Sequence, residues 1–124
     1  MLIVEDEALM RLVVSDYLQD CGFKVLEAAN AQEAIAMICQ AAVKIDIVFS
    51  DVRMPGEMNG VGLARWMRGN RPDIPVVLTS GGLDTELANT ITAQGPFLAK
   101  PYKLERLVSE MGRMLGLAPS SEQQ

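Results

Sequence analysis

The sequence predicts an α/β protein, a parallel five-stranded sheet with helices on both faces, and three observations predict it. Short runs of β-branched and aromatic residues, too brief for helices, alternate with longer segments whose apolar residues recur at helical spacing. The run Ile47-Val48-Phe49 lacks polar alternation, as a strand buried on both sides of a parallel sheet does. Glycine, proline and asparagine fall between these segments, where the chain must turn. The 124 residues suit one domain, expected over residues 1–118, with Pro119 to Gln124 as a disordered tail.

Leu2-Ile3-Val4 is the first strand, and it runs into the acids Glu5, Asp6 and Glu7. Leu9, Leu12, Val13, Tyr17 and Leu18 follow at helical period as far as Asp20, with Gly22 as a C-cap. Phe23, Val25 and Leu26 make the second strand. Asn30 with Glu33 has the spacing of a capping box and opens a helix through Ala34, Ile35, Met37 and Ile38. The third strand ends at Asp51, before the loop Met54-Pro55-Gly56. Val61, Leu63, Ala64 and Met67 form the next helix, closed by Gly69-Asn70. Pro75 to Ser80 is a fourth strand broken by Gly81-Gly82. A short helix capped by Asp84 and containing Leu87, Ala88 and Ile91 is stopped by Gly95-Pro96. Phe97-Leu98-Ala99 is the fifth strand, followed by Lys100-Pro101, where Pro101 is a candidate for a cis peptide. Leu104, Leu107, Val108, Met111 and Leu115 give a last amphipathic helix.

Right-handed crossovers between such elements build a three-layer (βα)5 sandwich, and the flavodoxin-like order 2-1-3-4-5 fits a chain of this size. That order sets the first and third strands side by side, so Glu5, Asp6 and Asp51 converge. Acids crowded in this way repel unless a cation neutralises them, and oxygen-only ligands suit Mg²⁺. The fourth and fifth strands add Ser80 (or Thr79) and Lys100 at the same edge. A hydroxyl and an ammonium facing metal-held carboxylates make a place for a phosphoryl group, with Asp51 as the nucleophile. Taken singly, Asp51 reads equally as a strand end, and Glu5 and Asp6 as acids at a helix N-terminus.

Composition narrows the chemistry. The chain has no histidine, which removes Ser-His-Asp, Cys-His and HExxH chemistry. Cys21 and Cys39 lack metal-ligand spacing and are expected as buried or half-buried free thiols. The net charge of −5 argues against a direct nucleic-acid surface, and Arg65, Arg68 and Arg71 read as a solvated helix face. No apolar stretch is long enough to span a bilayer and the N-terminal residues do not resemble a signal peptide, so the expected location is cytoplasmic.

From residue 2 to about residue 116, the chain resembles the receiver domains of two-component response regulators. The resemblance rests on Glu5-Asp6, Asp51 with Met54-Pro55 and Asn59-Gly60, Ser80-Gly81, and Lys100-Pro101, in order at successive strand ends. It implies that Asp51 accepts a phosphoryl group from the phosphohistidine of a sensor histidine kinase or phosphotransfer protein. It implies Mg²⁺ held by Glu5, Asp6, Asp51 and the backbone carbonyl of Arg53, and phosphoryl oxygens met by Ser80 and Lys100. Counting from Pro75 as in similar receivers selects Ser80 over Thr79. Phe97 matches the family's aromatic switch position, and reads equally as a core phenylalanine on a short strand.

Three features depart from the family pattern. The loop from Met54 to Gly60 is one residue longer than the common form, and Asn59 stands where aspartate is frequent. The segment between Ser80 and Lys100 is short, so residues 83–96 are expected to be the most mobile. No output domain follows Leu117, so a stand-alone switch is expected, with an unidentified downstream protein on the face of strands four and five and the last helix, and a homodimer as a further option. Two other readings compete. An aspartyl phosphatase would need an acid where Arg53 stands, and a degenerate receiver would act only as an interaction module.

Overall fold

The computed structural model describes residues 1–40, 42–54, 56–81 and 97–116. In chain order come β1 (Leu2–Val4), α1 (Ala8–Asp20), β2 (Leu26–Ala28), α2 (Ala31–Ile38), β3 (Val48–Asp51), α3 (Gly60–Asn70), β4 (Val76–Ser80), β5 (Phe97–Ala99) and α4 (Leu104–Met114). The strands pair in parallel in the order β2-β1-β3-β4-β5, as the sequence predicts. The expected helix at Leu87, Ala88 and Ile91, the expected mobility of residues 83–96 and the expected tail from Pro119 lie outside the described residues.

Strand alternation divides the core into two layers. Leu2, Val4 and Val48 face one side and pack with Ala31, Ala34 and Ile38 of α2 and with Leu63 and Met67 of α3. Ile3, Phe49, Val77 and Leu98 face the other and pack with Val14 and Leu18 of α1 and with Leu107 and Met111 of α4. Both faces of β1 and β3 are thus covered, and apart from Ser50 apolar, which leaves the strand ends as the exit for charged side chains.

Three expectations are corrected. The α1 helix forms where its period places it and buries Leu18 of the expected stripe, but not the N-terminal part of that stripe. Leu9, Leu12 and Val13 are 71%, 50% and 45% exposed, while Val14, Ser15 and Leu18 are buried. The helix is apolar on both flanks, and rotating Leu18 and Val14 inward also turns Arg11 toward the end of β1. The second strand starts at Leu26 rather than Phe23, because Phe23 belongs to the end of α1. Gly22, at φ 99°, donates to Gln19 O, and the Phe23 N–H donates back to Leu18 O, which together close the helix in a Schellman motif. Cys21 and Cys39 are free but exposed, not buried, since each is the residue that ends a helix.

The capping of α2 follows the sequence closely. Asn30 Oδ1 accepts from the Glu33 N–H at 2.8 Å, and Glu33 Oε1 reaches back to the Ala29 N–H at 2.9 Å. At α3, Asn59 Oδ1 accepts from the Gly62 N–H at 2.9 Å, so this residue serves as an N-cap. Gly60 follows because nothing larger fits: a Cβ there would run into the Asp51 carbonyl oxygen and lie 2.8 Å from Val52 Cα.

Candidate acidic phosphoryl and metal site

Register builds the site. Val4 pairs with Ser50, so the next residues, Glu5 and Asp51, leave adjacent strands side by side. Ser80 pairs with Ala99, which puts Lys100 just beyond β5 at the same edge. One oxygen from each of Glu5, Asp6 and Asp51 lies within 4.8 Å of the other two. Glu5 and Asp51 are buried and Asp6 is exposed, so the cluster opens to solvent on one side.

Lys100 closes the other side. Its Nζ donates to Asp51 Oδ2 at 2.6 Å and stands 3.7 Å from Glu5 Oε1. The Arg53 N–H donates to Asp51 Oδ1 at 3.1 Å, and the Glu7 N–H to Glu5 Oε2 at 3.1 Å. Burial raises the pKa of Glu5, and the Asp51 charge and Asp6 act in the same direction, against the Glu7 N–H and Lys100. Burial pulls the Lys100 ammonium the opposite way, but its hydrogen bond to Asp51 and the charges of Asp51 and Glu5 outweigh this and raise it. The cluster is therefore a partly buried group of acids faced by the Lys100 ammonium, and its hard oxygen donors fit Mg²⁺.

The remaining predicted residues surround it. Ser80 is buried at the end of β4, where its carbonyl accepts from the Lys100 N–H at 3.0 Å. Thr79, the competing hydroxyl, is turned to β5 and donates to Leu98 O at 2.6 Å. Phe97 is half-buried against the cluster of Val52, Val61, Ala64 and Leu78, on the flank of the site rather than among its charges. The Lys100–Pro101 peptide is cis.

Two neighbours of the acids were not anticipated. Arg11 Nη1 donates to the Glu5 carbonyl at 2.7 Å; in the sequence it is one polar position of an amphipathic helix. Tyr102 stacks edge-to-face on Phe49 at 5.8 Å and, with Met10, Gly81, Lys100 and Pro101, lines a cleft of about 400 Å³. Only its position after Lys100-Pro101 could have drawn attention to it.

Burial, with the charges of Glu5 and Asp51, pushes the Tyr102 phenol up to about 12. An unfolded tyrosine titrates at about 10, so above that pH the unfolded chain gives up this proton first and the fold loses stability, until about pH 12. Tyr102→Phe is expected to lessen this alkaline loss in urea melts taken between about pH 9 and about pH 11.5. Equal slopes for the two proteins would contradict the assignment.

No described helix is long and apolar enough to cross a membrane. The sequence matches the family model of the response regulator receiver domain over residues 1–111. It is 38% identical over 116 residues to the sensor kinase CckA of Brucella abortus, of which it spans 12%, covering 92% of this chain. It is 31% identical to the chemotaxis protein CheY of Thermotoga maritima, over 91% of this chain and 94% of that protein. The solved receiver domain of NtrX from Brucella abortus superposes with a TM-score of 0.83 at 32% identity, covering 94% of this chain and 98% of that one. The fold, the acids at the strand ends and these likenesses together mean that the chain belongs to the response regulator receiver domain family of two-component signalling.

Proposed function

We propose that the chain is a phosphorylation switch in which Asp51 accepts a phosphoryl group from the phosphohistidine of a sensor histidine kinase or phosphotransfer protein. The observation that carries this reading is the convergence of three carboxylates within 4.8 Å, with Lys100 Nζ 2.6 Å from Asp51 Oδ2. An Asp51 oxygen attacks phosphorus, the donor's P–N bond breaks, and the imidazole leaves with the electron pair. Glu5, Asp6, Asp51 and the Arg53 carbonyl are the residues that would hold Mg²⁺, which when bound offsets the charge of the phosphoryl oxygens. Lys100 stabilises those oxygens from the opposite side and Ser80 donates to one of them.

The signal leaves through packing. Once Ser80 engages the phosphoryl group, Phe97 follows and alters the face of β4, β5 and α4, which binds a downstream protein or a second copy of the chain. The exchange is assigned to the cytoplasm, where the exposed thiols of Cys21 and Cys39 stay reduced. The chain is not assigned turnover of external substrates, because an aspartyl phosphatase needs an acid where Arg53 stands.

The test is intact mass after incubation with Mg²⁺ and acetyl phosphate, for wild type and Asp51→Ala. One phosphoryl adduct is expected on wild type and none on the variant. A folded, Mg²⁺-binding wild type that takes no adduct from acetyl phosphate or from candidate kinases would favour a phosphorylation-independent interaction module.

A further inference from the structure

We infer that Arg11 is a positioning residue, which clamps the Glu5 main chain so that the Glu5 and Asp6 carboxylates converge on Asp51; this rests on the Mg²⁺ role proposed above. Glu5 follows the last residue of β1, where the chain is leaving the sheet. Its N–H donates to Ala28 O of β2 at 3.0 Å, the last rung on that side. Its carbonyl accepts from Arg11 Nη1 at 2.7 Å. The same guanidinium is fixed by a second prong, since Nε donates to Glu27 Oε1 of β2 at 3.2 Å.

A planar guanidinium is suited to this task. It offers donors in fixed directions, so holding Glu27 with one aims another at Glu5. The result is a brace from α1 across the end of β1 to β2, applied at the peptide that joins the two acids. The Arg11 side chain is mostly buried, and its own helix is tied to the same loop by the Arg11 N–H donating to Glu7 O at 3.0 Å.

Positioning and charge predict opposite signs. If Arg11 acted only as a nearby positive charge, removing it would make the acidic cluster more negative and tighten Mg²⁺ binding. Glu27 offsets that charge and salt screens it, so the effect is small. If Arg11 positions the acids, removing it lets the Glu5-Asp6 peptide rotate and weakens Mg²⁺. Loss of an outer residue that orients a metal ligand typically lowers affinity about 10- to 100-fold.

The experiment is calorimetric titration of the full chain with Mg²⁺ alone at constant ionic strength, for wild type, Arg11→Gln, Arg11→Lys and Val14→Ala, with each melted without metal. Arg11→Gln is expected to bind about tenfold more weakly or worse. Arg11→Lys keeps the charge but cannot span Glu5 and Glu27 together, and is expected to bind more weakly than wild type as well. Val14→Ala loosens the buried side of α1, lowering the melting temperature without weakening Mg²⁺. Affinity in a folded Arg11→Gln equal to or tighter than wild type overturns the proposal. Should Arg11→Gln fail to fold, wild-type affinity in Arg11→Lys overturns it instead. Absence of Mg²⁺ binding by wild type would overturn the metal reading itself, a different result from normal binding by both proteins.

Discussion

Gly60→Ala is expected to cost about 3 kcal/mol or more, the upper end of what overpacked sites show. The added methyl would meet main chain rather than the end of a flexible side chain: the Asp51 carbonyl carbon at 2.9 Å, Val52 Cα at 2.8 Å, and the Asp51 carbonyl oxygen. These atoms belong to the buried end of β3 and cannot rotate away. The Gly60 N–H also donates to Val52 O at 2.9 Å, so α3 cannot retreat without giving up that bond. Urea unfolding followed by Trp66 fluorescence measures the loss. Gly69→Ala is the control, since it lies in the same helix with no atom within 4 Å of the new Cβ. It is expected to be neutral or stabilising by up to about 1 kcal/mol. Similar stabilities for the two variants would refute the packing argument.

Lys100→Met is expected to slow phosphoryl transfer to Asp51 by about 100-fold at saturating Mg²⁺, the usual effect of removing one charge-stabilising donor. Methionine keeps most of the side-chain length and removes the ammonium that lies 2.6 Å from Asp51 Oδ2. Phosphoryl oxygens then lose a counter-charge just as the transferring group approaches. Binding of the metal is expected to change the other way. Lys100 neutralises Asp51 and Glu5 in the free protein and competes with a cation for them, so its removal should tighten Mg²⁺. Adduct formation from acetyl phosphate gives the rate and calorimetry gives the affinity. A rate within a few-fold of wild type would remove Lys100 from the proposed mechanism.

The parts of the molecule that were legible in the sequence were those set by local pattern. Strands were recognisable because Leu2-Ile3-Val4 and Ile47-Val48-Phe49 are short apolar runs with acids close behind them, and α2 because Asn30 and Glu33 satisfy each other's neighbourhood without help from elsewhere. Glu5, Asp6, Asp51 and Lys100 could be placed together because strand order alone determines which ends meet. What failed was decided by three-dimensional packing. Leu9, Leu12 and Val13 share a helical spacing with Leu18, and only packing against the sheet and α4 decides that Val14 joins Leu18 inside while the other three stay exposed. Phe23 has strand character, but the end of α1 takes its N–H first. The role of Arg11 depends on which way α1 is rotated, and a helical period does not contain that angle.

The Lys100–Asp51 pair joins residues 49 apart in sequence, with Glu5 a further strand away. Closing so long a loop carries an entropic penalty that one partly exposed ion pair cannot offset, so the pair forms only with the sheet that holds both ends. Order of synthesis follows from this. The carboxylates of β1 and β3 emerge from the ribosome before their lysine, and a nascent chain that stops short of β5 carries the acids with no ammonium to face them. On the proposed mechanism, the full set of groups around the phosphoryl site is assembled only when the last strand docks and brings Lys100 to the acids.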